Sequence, residues 1–309
     1  MGGSWKRLRH RLELLGVYIL AFLPRLLPYR AAVGMGAPLG VLAFDLIRIR
    51  RDVTLDNLRR AFGDRMSERE RIRIGRRSYI NFAKSMIEFA SIPRLERERI
   101  CRLVSLEGIE VLEGVLEEGK GAVIVTGHFG SWELLGAATA STGMPVDFLV
   151  GEQTNRLVDD YINRLRAGAG IGTIPMGVTM RGVFRALRDN RLVAMLSDQD
   201  ARRGGIFVDF FGIPSSTYPG AAQFSQKLGA PIIFCYIVRR EDETHRTVFL
   251  PPMRPDPDRD KDSEIRRLTG RFMKALEEAV RKHPDHYFWA HRRWKTRPSV
   301  NSGDSEAAV

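Results

Sequence analysis

Short apolar runs alternate with amphipathic helical segments through the middle of the chain. The first run, Ala122–Thr126, follows a helical pattern at Glu110–Glu118, and later runs have the length of buried strands. The later strand candidates are Val146–Val150, Gly172–Pro175, Leu192–Leu196 and Pro231–Val238. A short helical segment, Gly182–Arg188, lies between two of them. Such alternation is typical of βα units. We therefore predict an α/β fold with a largely parallel sheet flanked by helices.

Two longer helical regions enclose this alternating part. Apolar residues recur at helical spacing from Asp52 to Ile92, and Ser67 with Glu70 has the spacing of a capping box. A proline-rich loop at 251–262 precedes a last amphipathic helix. The apolar positions of that helix are Ile265, Leu268, Phe272, Leu276 and Val280.

The first fifty residues contain two short apolar segments flanked by arginines. Leu14–Pro24 has 11 uncharged residues, where a straight spanning helix needs roughly 20, and no small-residue cleavage site follows it. The second segment is Ala31–Phe44. Residues 1–30 carry six basic side chains and one acidic one, which favours an interfacial anchor over two core helices of a soluble domain. We expect a helical membrane-anchoring segment at 1–50, an α/β domain at 51–298 and a disordered tail at 299–309.

Composition fits a folded protein with an anionic partner. The chain has 309 residues, 44% of them apolar, and a net charge of +12. Its surface should attract nucleic acid, anionic lipid or an acidic carrier, and charge alone does not choose among them. The two cysteines, Cys101 and Cys235, are far apart, which argues against a disulfide scaffold and a structural zinc site. We expect no metal.

The end of the first apolar run carries the strongest chemical signal. Gly127-His128-Phe129-Gly130-Ser131-Trp132-Glu133 follows Thr126 directly, and carboxyl ends of parallel strands open into the crevice where ligands bind. A histidine held by a carboxylate can act as a general base, so His128 and Glu133 are candidate catalytic residues, with Glu133 turned back toward the imidazole. A packed imidazole beside a helix-start carboxylate gives the same pattern, and spacing alone does not separate the two.

Other polar residues belong to the same candidate site. Asp198 ends the run Leu192–Leu196, so it should face the crevice of His128, where Arg166 could pair with it or hold a phosphate. A turn-forming role is the alternative for Asp198. The basic cluster at 291–297, which contains Arg292 and Arg293, is compatible with a solvated face, a nucleic-acid patch or an anchor for a phosphorylated lipid.

Four segments, in order along nearly the whole chain, resemble one family. The segment Gly127–Glu133 resembles the H-x-x-x-x-[DE] motif of glycerolipid acyltransferases, in the version of the bacterial lipid A biosynthesis acyltransferases. The remaining three segments are Arg164-Leu165-Arg166, Ser197-Asp198-Gln199-Asp200 followed by Gly204–Gly212, and Tyr287–Pro298, which resembles the closing W-x-H-R-R-[FW]-K-T-R-P motif. An F-P-E-G-T motif, found in some glycerolipid acyltransferases outside this branch, is not found here, so a glycerol-phosphate acceptor is less supported.

The resemblance implies an acyltransferase on the cytoplasmic face of the inner membrane. His128 would deprotonate a hydroxyl of a lipid A precursor or related glycolipid, and Glu133 would orient His128. The donor would be an acyl thioester on acyl carrier protein or coenzyme A, and no cofactor is expected because a thioester is already activated. Arg166, Asp198, Gln199, Arg292 and Arg293 would bind substrate, and nucleic acid would not be a partner. The alternative is a non-catalytic basic protein that binds anionic membrane or nucleic acid.

Overall fold

The computed structural model describes residues 2–22, 26–176 and 179–298; the tail predicted at 299–309 lies outside them. The helices are α1 Gly2–Phe22, α2 Tyr29–Gly34, α3 Gly36–Val41, α4 Arg51–Phe62, α5 Glu68–Ser91, α6 Arg97–Leu103, α7 Ile109–Glu117, α8 Trp132–Ser141, α9 Arg156–Gly168, α10 Thr179–Arg188, α11 Gly220–Leu228 and α12 Lys261–Lys282. The strands are β1 Val104–Glu107, β2 Ala122–Thr126, β3 Val146–Val150, β4 Ile171–Pro175, β5 Leu192–Leu196, β6 Ile206–Phe210, β7 Ile213–Thr217, β8 Ile232–Arg239 and β9 His245–Phe249.

Seven strands form one mostly parallel sheet, which confirms the largely parallel α/β sheet that the sequence predicted. Their order is β1-β9-β8-β2-β5-β3-β4. Strands β8, β2, β5, β3 and β4 run parallel, whereas β9 runs antiparallel to β8 and pairs in parallel with β1 at the edge. The connection from β2 to β3 passes over β5, so the sheet has a change of winding beside the carboxyl end of β2.

Helices cover both faces of the sheet. Alternate residues of β2 enter different apolar clusters: Val123 and Val125 face one, and Ala122 and Ile124 face the other. The first cluster is completed by α4, α10, α11 and α12, and the second by α5 to α9. Because both faces are buried, the central strands read as continuous apolar runs, which is why they could be located in the sequence.

The structure adds strands that the pattern did not indicate. β1 and β9 are short edge strands, and β6 and β7 form an antiparallel hairpin in a separate sheet. The two residues between them, Phe211 and Gly212, have φ of 60° and 75°, as a two-residue hairpin turn with both central residues left-handed requires. A phenylalanine at the first of these positions hides the usual turn signature. The capping box of Ser67 and Glu70 is confirmed at the start of α5.

The second N-terminal segment packs closely on α5. A Cβ atom at Gly36 would lie 2.6 Å from the backbone nitrogen of Lys84, and one at Gly40 would lie 2.5 Å from the backbone of Ile80. Small residues at these two positions therefore let α3 approach the α5 backbone. A π-helical turn, Leu42–Leu46, follows α3 and buries Phe44.

Many apolar side chains of the N-terminal region are exposed. On α1 these are Leu8, Leu12, Leu15, Tyr18 and Phe22, and after it Leu26, Leu27, Leu39, Val41, Leu42, Leu46, Ile47 and Ile49. We call this set the N-terminal apolar surface. In the described part of the chain no single helix is long and apolar enough to cross a membrane, although two helical stretches bent by 90°, Tyr29–Leu46 and Arg51–Arg65, meet that test together.

Candidate active site

Register between β2 and β5 brings a histidine and an aspartate together. Thr126 pairs with Leu196 at the carboxyl ends of the two strands, so His128 and Asp198 each lie two residues beyond the last pair. Their side chains meet: His128 Nδ1 is 2.8 Å from Asp198 Oδ1. The sequence expectation that Asp198 faces the crevice of His128 therefore agrees with the structure.

The Asp198 side chain is a buried, ionised carboxylate. Its side chain is 3% exposed, whereas that of His128 is 24% exposed. Burial would raise the pKa of Asp198, but the neighbouring His128, the hydrogen bond with it and Arg293 together hold that pKa below its ordinary value. An ionised carboxylate only accepts hydrogen bonds, so Nδ1 of His128 carries a proton, and in the neutral form of the ring Nε2 then holds the free lone pair.

The loop that carries His128 is fixed by the C-terminal segment. The amide of Phe288 donates to the carbonyl of His128 at 2.9 Å, and the amide of Gly130 donates to the carbonyl of His286 at 2.8 Å. Gly130 has φ of 59°, and a Cβ there would collide with the carbonyl oxygen of Ile237. The glycine is thus required by both backbone conformation and space. These contacts hold the imidazole on a rigid support.

Aromatic rings and one amide surround the imidazole. The ring of Trp132 lies 5.2 Å from that of His128, and Phe288 lies 6.3 Å away, with Phe82 in contact with both aromatic residues. These three rings are partly exposed, so they form an apolar wall open to a ligand. On the other side Gln199 Nε2 is 3.3 Å from His128 Nε2, where its amide can donate to the free lone pair.

Glu133 has a different partner from the one the sequence indicated. Its carboxylate receives two hydrogen bonds from Arg166, at 2.6 and 3.1 Å, and Arg166 donates a third to Asn163. Side chains of Glu133 and Arg166 are 5% and 15% exposed. The expectation that Glu133 turns toward His128 is corrected here: Glu133 braces α8 against α9, and Asp198 holds the imidazole. Arg166 is likewise engaged with Glu133 rather than with Asp198 or free for a phosphate.

Arg292 and Arg293 are neighbours in the chain, but one is exposed and the other is buried. Arg293 is 1% exposed, donates to the Ser216 carbonyl and to Thr217 Oγ1, and lies over the Phe210 ring. Burial lowers its pKa, against the opposing effect of Tyr287 and Asp198. Its expected role as a surface phosphate ligand is therefore wrong: it ties the hairpin to the C-terminal segment. Arg292 is exposed and remains accessible.

Three residues near His128 and Asp198, namely Tyr287, His291 and Thr296, were not predicted as site residues from the sequence. Tyr287 is buried against Asp198, and burial together with that negative charge raises its phenol pKa. His291 Nε2 accepts the backbone N–H of Asp200 at 2.9 Å, and Thr296 Oγ1 donates to Asp200 Oδ2. All three residues lie in the closing motif at Tyr287–Pro298 and contact the loop that holds Asp198 and Asp200. Membership of that motif was the feature of the sequence that could have identified them.

A buried ionic cluster lies beside the site. Glu88 is fully buried and receives two hydrogen bonds from Arg239, one of them at 2.8 Å, and one from Tyr29. His245 is 3.5 Å from Glu88, and burial lowers the His245 pKa to about 4. Through Arg239, whose amide donates to His286 Nε2, this cluster joins the N-terminal helices to the segment that clamps His128.

The arrangement of acidic, histidine and cysteine side chains bears on metal binding. Among the described residues no three His, Cys, Asp or Glu side chains are grouped as metal ligands would be. The site consists of the His128 imidazole, the Asp198 carboxylate and an apolar wall.

Comparison with known proteins identifies the family. The family model described as bacterial lipid A biosynthesis acyltransferase matches residues 3–296. The chain belongs to this family. It is therefore an acyltransferase, and the non-catalytic alternative is rejected. Acyltransferases of this family act in lipid A and related glycolipid synthesis, so a fatty acyl donor and a glycolipid acceptor are implied in general terms.

Individual relatives agree with the family assignment. A lipid A biosynthesis palmitoleoyltransferase of Escherichia coli strain K12 is 25% identical over 274 residues, which are 88% of this chain and 87% of that protein. A lipid A biosynthesis lauroyltransferase of the same strain is 27% identical, over 94% and 93%. A phosphatidylinositol mannoside acyltransferase of Mycolicibacterium smegmatis is 26% identical, over 51% and 53%.

Proposed function

We propose that this acyltransferase transfers a fatty acyl chain from an acyl thioester, on acyl carrier protein or coenzyme A, to a hydroxyl of a lipid A precursor or a related glycolipid. The observation that carries the proposal is the His128–Asp198 pair at the carboxyl ends of β2 and β5, in a chain of this family. A base at that position suits transfer to a hydroxyl, which must lose a proton as it attacks.

The proton moves through Nε2 of His128. With Nδ1 protonated against Asp198, Nε2 takes the proton of the acceptor hydroxyl, in the place where the Gln199 amide now lies. The acceptor oxygen attacks the thioester carbonyl, the C–S bond breaks, and the leaving thiolate takes the proton from the imidazolium. Atoms and charge balance without an external reductant or oxidant. A positioned base contributes about 10²–10⁴ in rate, and the remainder comes from holding donor and acceptor in place.

Glu133 and Arg166 bind each other and do not contact His128. Their buried pair fixes the first turn of α8, directly after the loop that carries His128. We assign both residues a role in positioning the His128 loop, in place of the direct contact with His128 expected for Glu133 and the phosphate binding expected for Arg166. Partly exposed rings of Trp132, Phe288 and Phe82 offer an apolar surface to the acyl chain beside the imidazole.

The N-terminal apolar surface supports attachment to a membrane, which we propose is the inner membrane at its cytoplasmic face. Nearly all large apolar side chains that the described chain exposes lie between Leu8 and Ile49, and exposed apolar patches of this kind mark interaction sites. The net charge of +12 adds attraction to anionic lipid headgroups. Residues 1–50 would then bring the site to its lipid acceptor.

Lipid analysis of cells tests the proposed function. Mass spectrometry of lipids from cells that lack the protein, that overproduce it, and that overproduce His128→Ala should show one acylated glycolipid that depends on the active protein. Loss of that species in the deletion strain, and its return with wild type alone, is the expected result. Unchanged glycolipids in all strains, with changes confined to phospholipids, would refute the acceptor class.

A further inference from the structure

A second carboxylate–histidine pair lies close to the first. His286 Nδ1 is 2.9 Å from Asp285 Oδ1, and the two side chains are 8% and 14% exposed. Burial would raise the pKa of Asp285, but the hydrogen bond with His286 and the charge of Arg77 are among the effects that lower it to about 2. The Asp285 carboxylate is therefore ionised, and it accepts a hydrogen bond from a protonated Nδ1.

The other ring nitrogen of His286 is already engaged. Nε2 accepts the backbone N–H of Arg239, the last residue of β8, at 3.0 Å. The ring is therefore neutral, because an imidazolium would place a second N–H against that donor. Nε2 of His128, in contrast, faces a side-chain amide and a partly exposed apolar wall. His286 has no free lone pair for a substrate proton, so it is not a second base.

His286 supports both residues that follow His128. Its ring stacks on that of Phe129, with centroids 5.8 Å apart and planes 25° apart, and its carbonyl accepts the amide of Gly130 at 2.8 Å. Phe129 is fully buried and forms a β-bridge with Tyr287, the residue after His286. Because the stacked ring and the accepting carbonyl belong to one residue, a change in the orientation of His286 moves both supports of the His128 loop.

Asp285 connects this imidazole to α5. Arg77 donates to Asp285 Oδ2 at 2.8 Å, and Asn81 donates to the backbone carbonyl of Asp285 at 2.8 Å. Phe82, the next residue of α5, lies 4.7 Å from the ring of Phe288 in the apolar wall. The contacts thus run from α5, through the carboxylate and the imidazole, to the end of β8.

We propose that His286 is a positioning residue for acyl transfer: its neutral imidazole, held between Asp285 and the Arg239 amide, keeps the His128 loop where Nδ1 of His128 meets Asp198. The effect on rate rests on the proposed role of His128 as the base. A displacement of about 1 Å at a reacting group can cost about 10²-fold in rate. His286 is assigned no contact with substrate, so its loss should lower kcat and leave substrate binding nearly unchanged.

Three substitutions separate the two hydrogen bonds of the ring. The amide of His286→Gln can reach the place of Nε2 and accept the Arg239 N–H, whereas the shorter amide of His286→Asn replaces only Nδ1, and His286→Ala replaces neither. We expect His286→Ala to lower kcat by about 10–100-fold with little change in KM for donor or acceptor. His286→Asn should behave like His286→Ala, and His286→Gln should regain most of the rate.

Hydrogen exchange of the purified full chain in detergent shows whether the loop itself is affected. In His286→Ala the amides of residues 127–133 should exchange faster than in wild type, while those of α10 keep the wild-type rate. The matched control is His283→Ala, because His283 lies in the same segment and its ring forms no hydrogen bond in the part of the chain that the structure describes. It should retain both the wild-type kcat and the wild-type exchange of the loop.

The outcomes separate positioning from a general structural role. Wild-type kcat in His286→Ala, faster exchange throughout the chain, or equal losses of kcat in His286→Gln and His286→Asn would each overturn the proposal. Where His286→Ala does not fold, the comparison of His286→Gln with His286→Asn decides in the same way. If the loop loosens and kcat falls in His286→Ala while His128→Ala keeps the wild-type rate, His286 stands as a support of the loop and the proposed role of His128 fails.

Discussion

Asp198→Asn is expected to cost much more catalytic rate than Glu133→Gln. The Asp198 carboxylate is buried and accepts from Nδ1 of His128 at 2.8 Å, so it sets which ring nitrogen carries the proton. An asparagine amide that donates to Nδ1 would place the proton on Nε2, where it blocks base catalysis. The comparable change in a serine protease triad costs about 10⁴ in kcat, and general bases contribute about 10²–10⁴. We expect a loss in kcat of that size.

Glu133→Gln keeps the shape of the side chain but removes its charge. Arg166 donates to both carboxylate oxygens, and only one of these bonds survives with an amide. Because Arg166 retains its bond with Asn163, the expected result is a lower thermal unfolding temperature with at most about a 10-fold loss in kcat.

Steady-state acyl transfer by the purified variants, together with thermal unfolding, separates the two roles. The double variant His128→Ala with Asp198→Asn should be scarcely slower than His128→Ala alone, because the pair works as one unit. The reasoning is refuted if Glu133→Gln, still folded, loses as much kcat as Asp198→Asn, or if the losses of His128→Ala and Asp198→Asn multiply.

Two further predictions concern stability and location. Glu88→Ala leaves the buried Arg239 with Glu243, at 3.1 Å, as its carboxylate partner, so the free energy of unfolding should fall by up to about 3–5 kcal/mol and the melting temperature by on the order of 10 °C; a shift no larger than that of Arg185→Gln, a change at a side chain that is 86% exposed on α10, would contradict it. The N-terminal apolar surface should keep the protein on membranes in ~1 M salt, because apolar contacts persist where a Debye length of about 3 Å screens charge, and detergent should release it. Recovery of active protein in the supernatant without detergent would argue against attachment.

Strand ends could be predicted from the sequence because the central strands are buried on both sides. Apolar runs ending before Gly127 and Ser197 placed His128 and Asp198 at one edge of the sheet, and the register of β2 with β5 then put them in contact. The partner of Glu133 could not be predicted. It depends on how α9 packs against α8, and Arg166 is 33 residues away in the chain.

Burial of charge was the other feature that sequence patterns did not reveal. Arginines are almost never fully buried unless paired, so Arg293, adjacent to the exposed Arg292, indicated a surface cluster. Its acceptors, the Ser216 carbonyl and Thr217, lie in the β7 strand of a hairpin whose turn residues gave no clear signal. The different environments of Arg292 and Arg293 could therefore be recognised only from the position of this hairpin in the structure.

The proton-transfer role of His128 is tested most directly by acylation with purified components. Wild type and His128→Ala, each in detergent, are incubated with an acyl thioester and a lipid A precursor, and the acceptor is weighed by mass spectrometry while released carrier thiol is measured. We expect wild type to add acyl chains to the acceptor and to release one thiol per chain, and His128→Ala to be slower by about 10²–10⁴. A folded His128→Ala variant that acylates the acceptor at the wild-type rate would contradict it.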